Sequence, residues 1–335
     1  MEIPIVNLEG YMLGEVNIPP EKRQKLCSGL KTAFTEVGFV YLENTGITQQ
    51  EVDEVMTISK EFFDLPEQMK LPFSRSSYIK SPNHGWVSLE REKLNPSGAG
   101  DLKEAFNTSL LCPDIKWPCE DVPGFRDKQV SFFMHCKELS LRILRLMGLS
   151  LGLDADVFVS AHKQIGTDEN GSTLRTLYYP PVDSEHVKEG QLRCGEHSDY
   201  GSITLVFQSP EGGLQVYICI IGLSTREFVK LFPPKNICVM VLSRSGQYIS
   251  APFIPGTVLL NIADLMQRWT SDVFTSAIHR VLLPPPGDSS TRQSLAYFVQ
   301  PDDEALITCC DGSNKYPPVK SGDYLMERFR ESYGR

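Results

Sequence analysis

The chain has 335 residues, 41% hydrophobic and 22% charged, values that fit a globular protein and exclude a disordered one. Thirty-three Lys and Arg against 42 Asp and Glu leave a formal charge of −9, so no basic surplus exists to neutralise nucleic-acid phosphates. Nine cysteines without a CxxC pair, a Met-Glu-Ile-Pro start without a basic and apolar leader, and no apolar run of about 18 residues lead to the expectation of a reduced, cytoplasmic protein that neither binds nucleic acid nor spans a membrane.

In chain order, Ile3-Pro-Ile-Val-Asn-Leu8 predicts a short strand. Pro19 and Pro20 open a helix in which Leu26, Leu30, Ala33, Phe34 and Val37 fall at helical spacing, and Gly38 stops it. Phe39-Val-Tyr-Leu42 is β-branched and aromatic, so a strand comes next. Thr48-Gln-Gln-Glu51 is a capping box that starts a second helix carrying Val52, Val55, Met56, Ser59, Phe62 and Phe63, ended by Pro66. Residues 70–123 are rich in Pro, Gly, Ser and Asn and predict irregular structure. Residues 127–153 predict a long helix. After Gly171, short apolar or alternating runs recur at 174–179, 203–208, 213–216, 247–251, 257–261, 277–283 and 294–300, the pattern of an antiparallel sandwich or barrel. A helix over 324–333 closes the chain. The fold class is therefore mainly β with flanking helices.

Chemistry concentrates in Cys194-Gly-Glu-His197-Ser-Asp199-Tyr-Gly201. Residues two apart in a strand share a face, so His197 and Asp199 offer an imidazole and a carboxylate to one side. His279, in the strand-like run Ser276-Ala-Ile-His279-Arg-Val-Leu282, supplies a second imidazole. Two histidines and one carboxylate make the facial triad of non-haem Fe(II) oxygenases, which leaves three adjacent positions open. An H-x-D alone arises often by chance; the residues downstream of it give it weight. Thirteen residues after His279 stands Arg292-Gln-Ser294. A guanidinium with a hydroxyl on the same face suits a bidentate grip on a carboxylate, whereas a lone arginine more simply makes a surface salt bridge.

With these motifs in place, the sequence resembles the isopenicillin N synthase-like Fe(II)/2-oxoglutarate-dependent dioxygenases over nearly its whole length. The resemblance also rests on Gly38-Phe-Val-Tyr-Leu-Glu-Asn-Thr-Gly-Ile47, Phe62-Phe-Asp-Leu-Pro66, Lys103-Glu-Ala-Phe106, Leu174-Arg-Thr-Leu-Tyr-Tyr-Pro-Pro181, Gly212-Gly-Leu-Gln215 and Pro255-Gly-Thr-Val-Leu-Leu-Asn-Ile-Ala-Asp264. It implies a double-stranded β-helix (jelly roll) core over 171–310, behind an N-terminal region of helices and strands at 1–120 and a long helix with its connection at 121–170. A C-terminal helix lies in 311–335, and all are expected to pack as one unit. It implies Fe(II) on His197, Asp199 and His279, and 2-oxoglutarate with its distal carboxylate on Arg292 and Ser294. Tyr179 would meet the metal-side carboxylate; the plainer reading of Tyr178 and Tyr179 is one buried and one exposed aromatic. It further implies O2 as oxidant, ascorbate as a reductant, and a small organic substrate that is hydroxylated, desaturated or cyclised with release of succinate and CO2. Asn261, Asp264 and Ser276 would hold the fold by hydrogen bonds. Three rivals stay open: a same-fold Fe(II) oxidase whose Arg292 and Ser294 grip a substrate carboxylate, a catalytically silent jelly-roll binding protein, and a zinc hydrolase on the same ligands.

Other histidines take plainer readings: a loop hydrogen bond for His84, packing or surface for His135, and exposure for His162 and His186. Cys309 and Cys310 read as ordinary thiols. One block departs from the resemblance. Residues 217–241 hold 15 apolar or Cys residues out of 25, where a hairpin loop should be short and polar. The block reads either as a retained intron or gene-model artefact, or as an added hairpin that caps the pocket or mediates dimerisation.

Overall fold

Period-two alternation in the strands sets the layers of this fold. A computed structural model of the chain describes residues 2–15, 18–75, 83–94, 99–109, 115–182, 187–219 and 246–333. Strands β1 (Ile5–Asn7), β2 (Phe39–Glu43), β3 (Gly85–Val87), β4 (Glu104–Thr108), β5 (Thr173–Tyr179), β7 (Ile203–Gln208), β10 (Thr257–Ile262) and β12 (Arg292–Val299) form an eight-stranded sheet. Its order is β1-β2-β10-β7-β12-β5-β4-β3, antiparallel except for β1 beside β2. Strands β6 (Cys194–His197), β8 (Leu214–Cys219), β9 (Gly246–Ser250) and β11 (His279–Val281) form a second sheet in the order β6-β11-β8-β9. A small pair, β13 (Leu306–Ile307) and β14 (Val319–Lys320), stands apart.

Successive residues of the large sheet point to different cores. Phe39 and Tyr41 of β2 join Leu177 and Tyr179 of β5 and Leu259 of β10 in a core completed by Cys194, Val216, Ile218 and Val281 of the smaller sheet. Val40, Leu42, Leu174, Leu260 and Leu295 face the opposite way, onto helices α1 (Pro20–Glu36), α2 (Gln49–Phe63) and α4 (Phe125–Ser150). Helices α3 (Glu67–Lys70), α5 (Asp264–Trp269) and α6 (Ser321–Tyr333) complete the set. Helix α2 begins with the capping box, Thr48 and Glu51 satisfying each other's backbone N–H groups. After α1 the chain turns at Gly38 with φ +77°, where a Cβ would lie 2.2 Å from Thr275 O, so only glycine fits.

Three readings change. Residues 70–123 are not all irregular: β3 and β4 lie there and extend the large sheet. Tyr178 is buried as well as Tyr179, because the sheet is covered on both faces and Tyr178 stacks on Phe63 of α2 at 5.5 Å. Tyr217, Ile218 and Cys219 continue β8 and pair with Tyr248, Gln247 and Gly246 of β9, so the start of the 217–241 block is hairpin strand. Residues 220–241 lie outside the described residues. Among those described, no helix is long and apolar enough to cross a membrane.

Candidate active site

Strand β6 ends at His197, and β11 begins at His279 directly opposite it. Asp199 lies just beyond the strand, so its position comes from the loop after β6 rather than from a shared strand face. That loop is fixed by the first turn of α5: the Asp264, Leu265 and Met266 amides donate to the carbonyls of Asp199, Tyr200 and Gly201 at 2.8, 3.2 and 3.2 Å. The His197, Asp199 and His279 donor atoms then lie within 4.8 Å of one another. Each histidine Nε2 is 3.8 Å from Asp199 Oδ1.

Backbone carbonyls set the tautomers. His197 Nδ1 faces Gly195 O at 2.8 Å and His279 Nδ1 faces Ala277 O at 3.1 Å, so both Nδ1 atoms carry the proton and both Nε2 atoms keep a lone pair. Burial, then the neighbouring His279, drives the His197 ring down to about 3, which keeps it neutral and ligating. Burial pushes the Asp199 carboxyl up, but the neighbouring His279 and His197 and the Asn261 hydrogen bond outweigh it and hold the group below the usual carboxylate range. A separation of 3.8 Å is under twice a metal–ligand bond of about 2.1 Å, so a cation can bridge Asp199 to either histidine, and all three donors lie within 4.8 Å of one another. This set of two imidazoles and one carboxylate suits Fe(II).

Arg292 opens β12 opposite Tyr179 and is 1% exposed. Its Nε donates to Gly212 O at 2.7 Å, Nη1 to Ser294 Oγ at 3.2 Å and Nη2 to Gln208 Oε1 at 3.1 Å. The Tyr179 ring lies against the guanidinium, 4.7 Å from centroid to Cζ. Arg292 is thus a buried, oriented cation rather than a surface charge.

Beside His197 and Asp199 lies a cavity of about 110 Å³ lined by Asn83, Asn107, Arg175, Tyr200, Phe298 and Gln300, and closed by Leu325 and Phe329 of α6. Its charges are paired: Arg175 with Glu92, Lys103 with Asp101 and 3.7 Å from Glu92, and Arg75 3.9 Å from Glu92. A larger cleft of about 500 Å³ between α2 and Ser209-Pro210 contains none of these groups. From the sequence, substrate contacts are expected from residues 70–110 and the C-terminal segment, where Asn83, Asn107, Leu325 and Phe329 lie. Arg175, Phe298 and Gln300 lie outside that expectation, although Arg175 is a charge inside a strand otherwise made of Thr, Leu and Tyr.

His84 matches its plain reading, buried against Phe106 and Trp117 and accepting from Ser109 N at 3.4 Å. His135 is half-buried and meets Glu51 at 2.8 Å. His162 is not exposed as expected: it is 1% accessible, bonded to Phe158 O and Ser202 Oγ, because the turn after α4 tucks it under Trp269. His186 lies outside the described residues. Cys309 and Cys310 are free thiols, as are Cys27, Cys119, Cys136 and Cys194.

Residues 3–125 match a family signature described as non-haem dioxygenase in morphine synthesis N-terminal, and residues 170–301 match the 2OG-Fe(II) oxygenase superfamily. A full-length Neurospora crassa protein, solved in complex with alpha-KG and thymine, is 30% identical with a TM-score of 0.78, covering 98% of this chain and 96% of that one. The chain belongs to the 2-oxoglutarate–Fe(II) oxygenase superfamily. Among curated relatives of this oxygenase, the proline hydroxylase buaE of Petromyces alliaceus is 30% identical, covering 95% of this chain and 97% of that protein. The 2-oxoglutarate-dependent dioxygenase htyE of Aspergillus rugulosus is 29% identical, covering 91% of each. The oxygenase is thus a 2-oxoglutarate-dependent dioxygenase that uses Fe(II), and its two sheets are the double-stranded β-helix of that family.

Proposed function

We propose that this oxygenase holds Fe(II) on His197, Asp199 and His279, grips the distal carboxylate of 2-oxoglutarate with Arg292 and Ser294 beside Tyr179, and oxidises a compact, uncharged, polar molecule seated beside His197 and Asp199. The observation that carries this reading is the convergence of three donors, two of them imidazoles with Nε2 free, on one point. When bound, the iron supplies O2 activation coupled to decarboxylation of 2-oxoglutarate to succinate. The chain's own residues orient the ligands, hold the co-substrate and wall the cavity.

The cavity argues the substrate class. At about 110 Å³ it is well below the roughly 300–1,000 Å³ of pockets for drug-sized ligands, and it suits a single small ring. Asn107 is 1% exposed; its Nδ2 donates to Asn83 Oδ1 at 3.2 Å, and Asn83 Nδ2 donates to Thr173 Oγ1 at 2.8 Å. That relay commits the amide NH2 and leaves Asn107 Oδ1 buried without a donor among the described residues. A buried acceptor of this kind favours a ligand N–H or O–H. The internally paired Arg175, Glu92, Lys103 and Asp101 place no demand for a charged ligand. Thymine in the Neurospora crassa structure and proline for the relative named a proline hydroxylase are of matching size.

The test is O2-dependent succinate release from 2-oxoglutarate across lactams, pyrimidines and small cyclic amides, with fatty acids and dianionic metabolites for contrast. Stimulation by the neutral rings is expected. Stimulation by long-chain or dianionic compounds alone would overturn the substrate class, and no succinate under any condition would overturn the activity.

A further inference from the structure

Arg193 stands four residues before His197 and is 2% exposed. Its Nη2 donates to Ser290 O at 2.7 Å, while its Nε is buried with no acceptor among the described residues. The charges that act on it are Arg292, of like sign, and Asp288 and Glu211, both exposed; the Tyr179 hydroxyl is its remaining electrostatic neighbour. Two buried guanidiniums are therefore neighbours, Arg292 against the Tyr179 ring and Arg193 tied to Ser290 two residues before Arg292, and no buried carboxylate is among the groups that act on Arg193. Burial, then the like charge of Arg292, pulls the Arg193 guanidinium below its ordinary value. Buried charge left in this state is costly, and one anion between the two cations would remove the cost.

We propose that Arg193 is a second cation of the co-substrate site, receiving the distal carboxylate of 2-oxoglutarate together with Arg292 and setting the preference for a dicarboxylic over a monocarboxylic 2-oxoacid. The proposal rests on the reading of Arg292 and Ser294 as the co-substrate grip. Arg292 commits three of its five N–H groups to Gly212, Ser294 and Gln208, and two remain. A carboxylate has two oxygens and about four lone-pair directions, enough to accept from both arginines at once. Ser290, which holds Arg193, lies two residues before Arg292, so one short segment positions both cations.

The experiment is anaerobic titration of the Fe(II)-loaded full chain with 2-oxoglutarate and with pyruvate, followed by the charge-transfer absorption, for wild type, Arg193→Gln and Arg193→Lys. Arg193→Gln should weaken 2-oxoglutarate binding by roughly 10- to 100-fold, the size of a lost charge-assisted hydrogen bond, and leave pyruvate binding unchanged. Arg193→Lys should recover part of the loss. The melting temperature of metal-free Arg193→Gln should hold or rise, since an uncompensated cation is gone, and its increase on adding 2-oxoglutarate should shrink. Equal 2-oxoglutarate affinity in all three proteins overturns the proposal. So does a parallel loss for both oxoacids with a lower melting temperature, which would make Arg193 a structural tie to Ser290. A wild type that binds pyruvate as well as 2-oxoglutarate would instead overturn the underlying reading of Arg292 and Ser294, and the proposal with it.

Discussion

Asn261 Nδ2 donates to Asp199 Oδ2 at 2.7 Å, which occupies one carboxylate oxygen and leaves Oδ1 facing both histidine Nε2 atoms at 3.8 Å. Asn261 sits on β10, fully buried, so it positions a ligand from the facing sheet. Asn261→Ala should lower Fe(II) affinity by about 10- to 100-fold, the usual scale for losing a ligand's outer hydrogen bond. Asn261→Asp should do more harm, because it sets a second carboxylate against the first. Anaerobic Fe(II) titration decides; wild-type affinity in both variants would show that Asp199 is held without Asn261.

Asp264 links the C-terminal helix to the metal loop. Ser198 Oγ and Arg328 Nη2 both donate to its Oδ2, at 2.9 and 3.0 Å, and Ser276 Oγ donates to Oδ1 at 2.7 Å. Burial pushes the Asp264 carboxyl up, against the Ser276 hydrogen bond and the Arg328 charge. Arg328 is followed by Phe329, which with Leu325 walls the cavity. Arg328→Gln should therefore cost about 1–2 kcal/mol of stability, discounted because Arg328 is partly exposed. It should raise the substrate KM several-fold while 2-oxoglutarate affinity stays fixed. Steady-state succinate release separates the two constants; a loss confined to 2-oxoglutarate binding would contradict the link.

Much of this was legible because it is periodic or clustered. Phe39 to Leu42 alternates between two cores, and a chain that alternates in apolar residues reads as a strand buried on both faces. His197, Asp199, His279, Arg292 and Ser294 read well because the chemistry needs those types in that order. What escaped is non-local. β3 and β4 sit among Pro, Gly and Asn residues whose local preference hides them, and pairing with β5 decides their state. Asn83, Asn107 and Arg175 meet only through cross-strand contacts. His162 looked exposed because the polar residues around it mask its place under Trp269.

Two buried histidines outside the metal site set an acid limit. Burial drives both His84 and His162 down to about 4. Their folded values lie below the ordinary value near 6.5, so folding favours the neutral rings. Their stabilising contribution is full above about pH 6.5 and is lost as pH falls toward 4, worth roughly 3 kcal/mol per histidine across that window. His197 titrates in the same range in metal-free protein, so the check is a comparison between variants. His162→Gln, which keeps a hydrogen bond to Ser202 in reach, should show a shallower fall in melting temperature between about pH 7 and 4.5 than wild type. An identical slope would mean that His162 takes up its proton at the same pH in the folded and the unfolded chain.

The hairpin of β8 and β9 gives the sharpest test of the apolar block. Register runs from Gln215 opposite Ser250 to Cys219 opposite Gly246, with Tyr217 and Tyr248 meeting edge to face at 5.2 Å. Val216 and Ile218 are buried in the core between the sheets, and Tyr217 is only half-buried, so alternation persists to the end of the strand. An antiparallel pair that ends in register can be closed by two residues, with Asn-Gly the favoured choice. Replacing 220–245 by Asn-Gly should therefore preserve the ladder and the His279–Val216 pairing beside it. The shortened chain should keep Fe(II) and 2-oxoglutarate affinity within about twofold, since neither the ligands nor Arg292 lie in the deleted span. Its melting temperature should hold or rise, because a shorter loop lowers the closure entropy. Cutting instead at the boundaries suggested by composition, from 217 to 241, removes Tyr217, Ile218 and Cys219 from β8 and should destabilise the sheet that carries His197 and His279. Calorimetry of the two deletions checks this: the first should melt as one cooperative transition at or above the parent, the second below it. Loss of metal binding in the 220–245 replacement alone would show that the block takes part in holding the site.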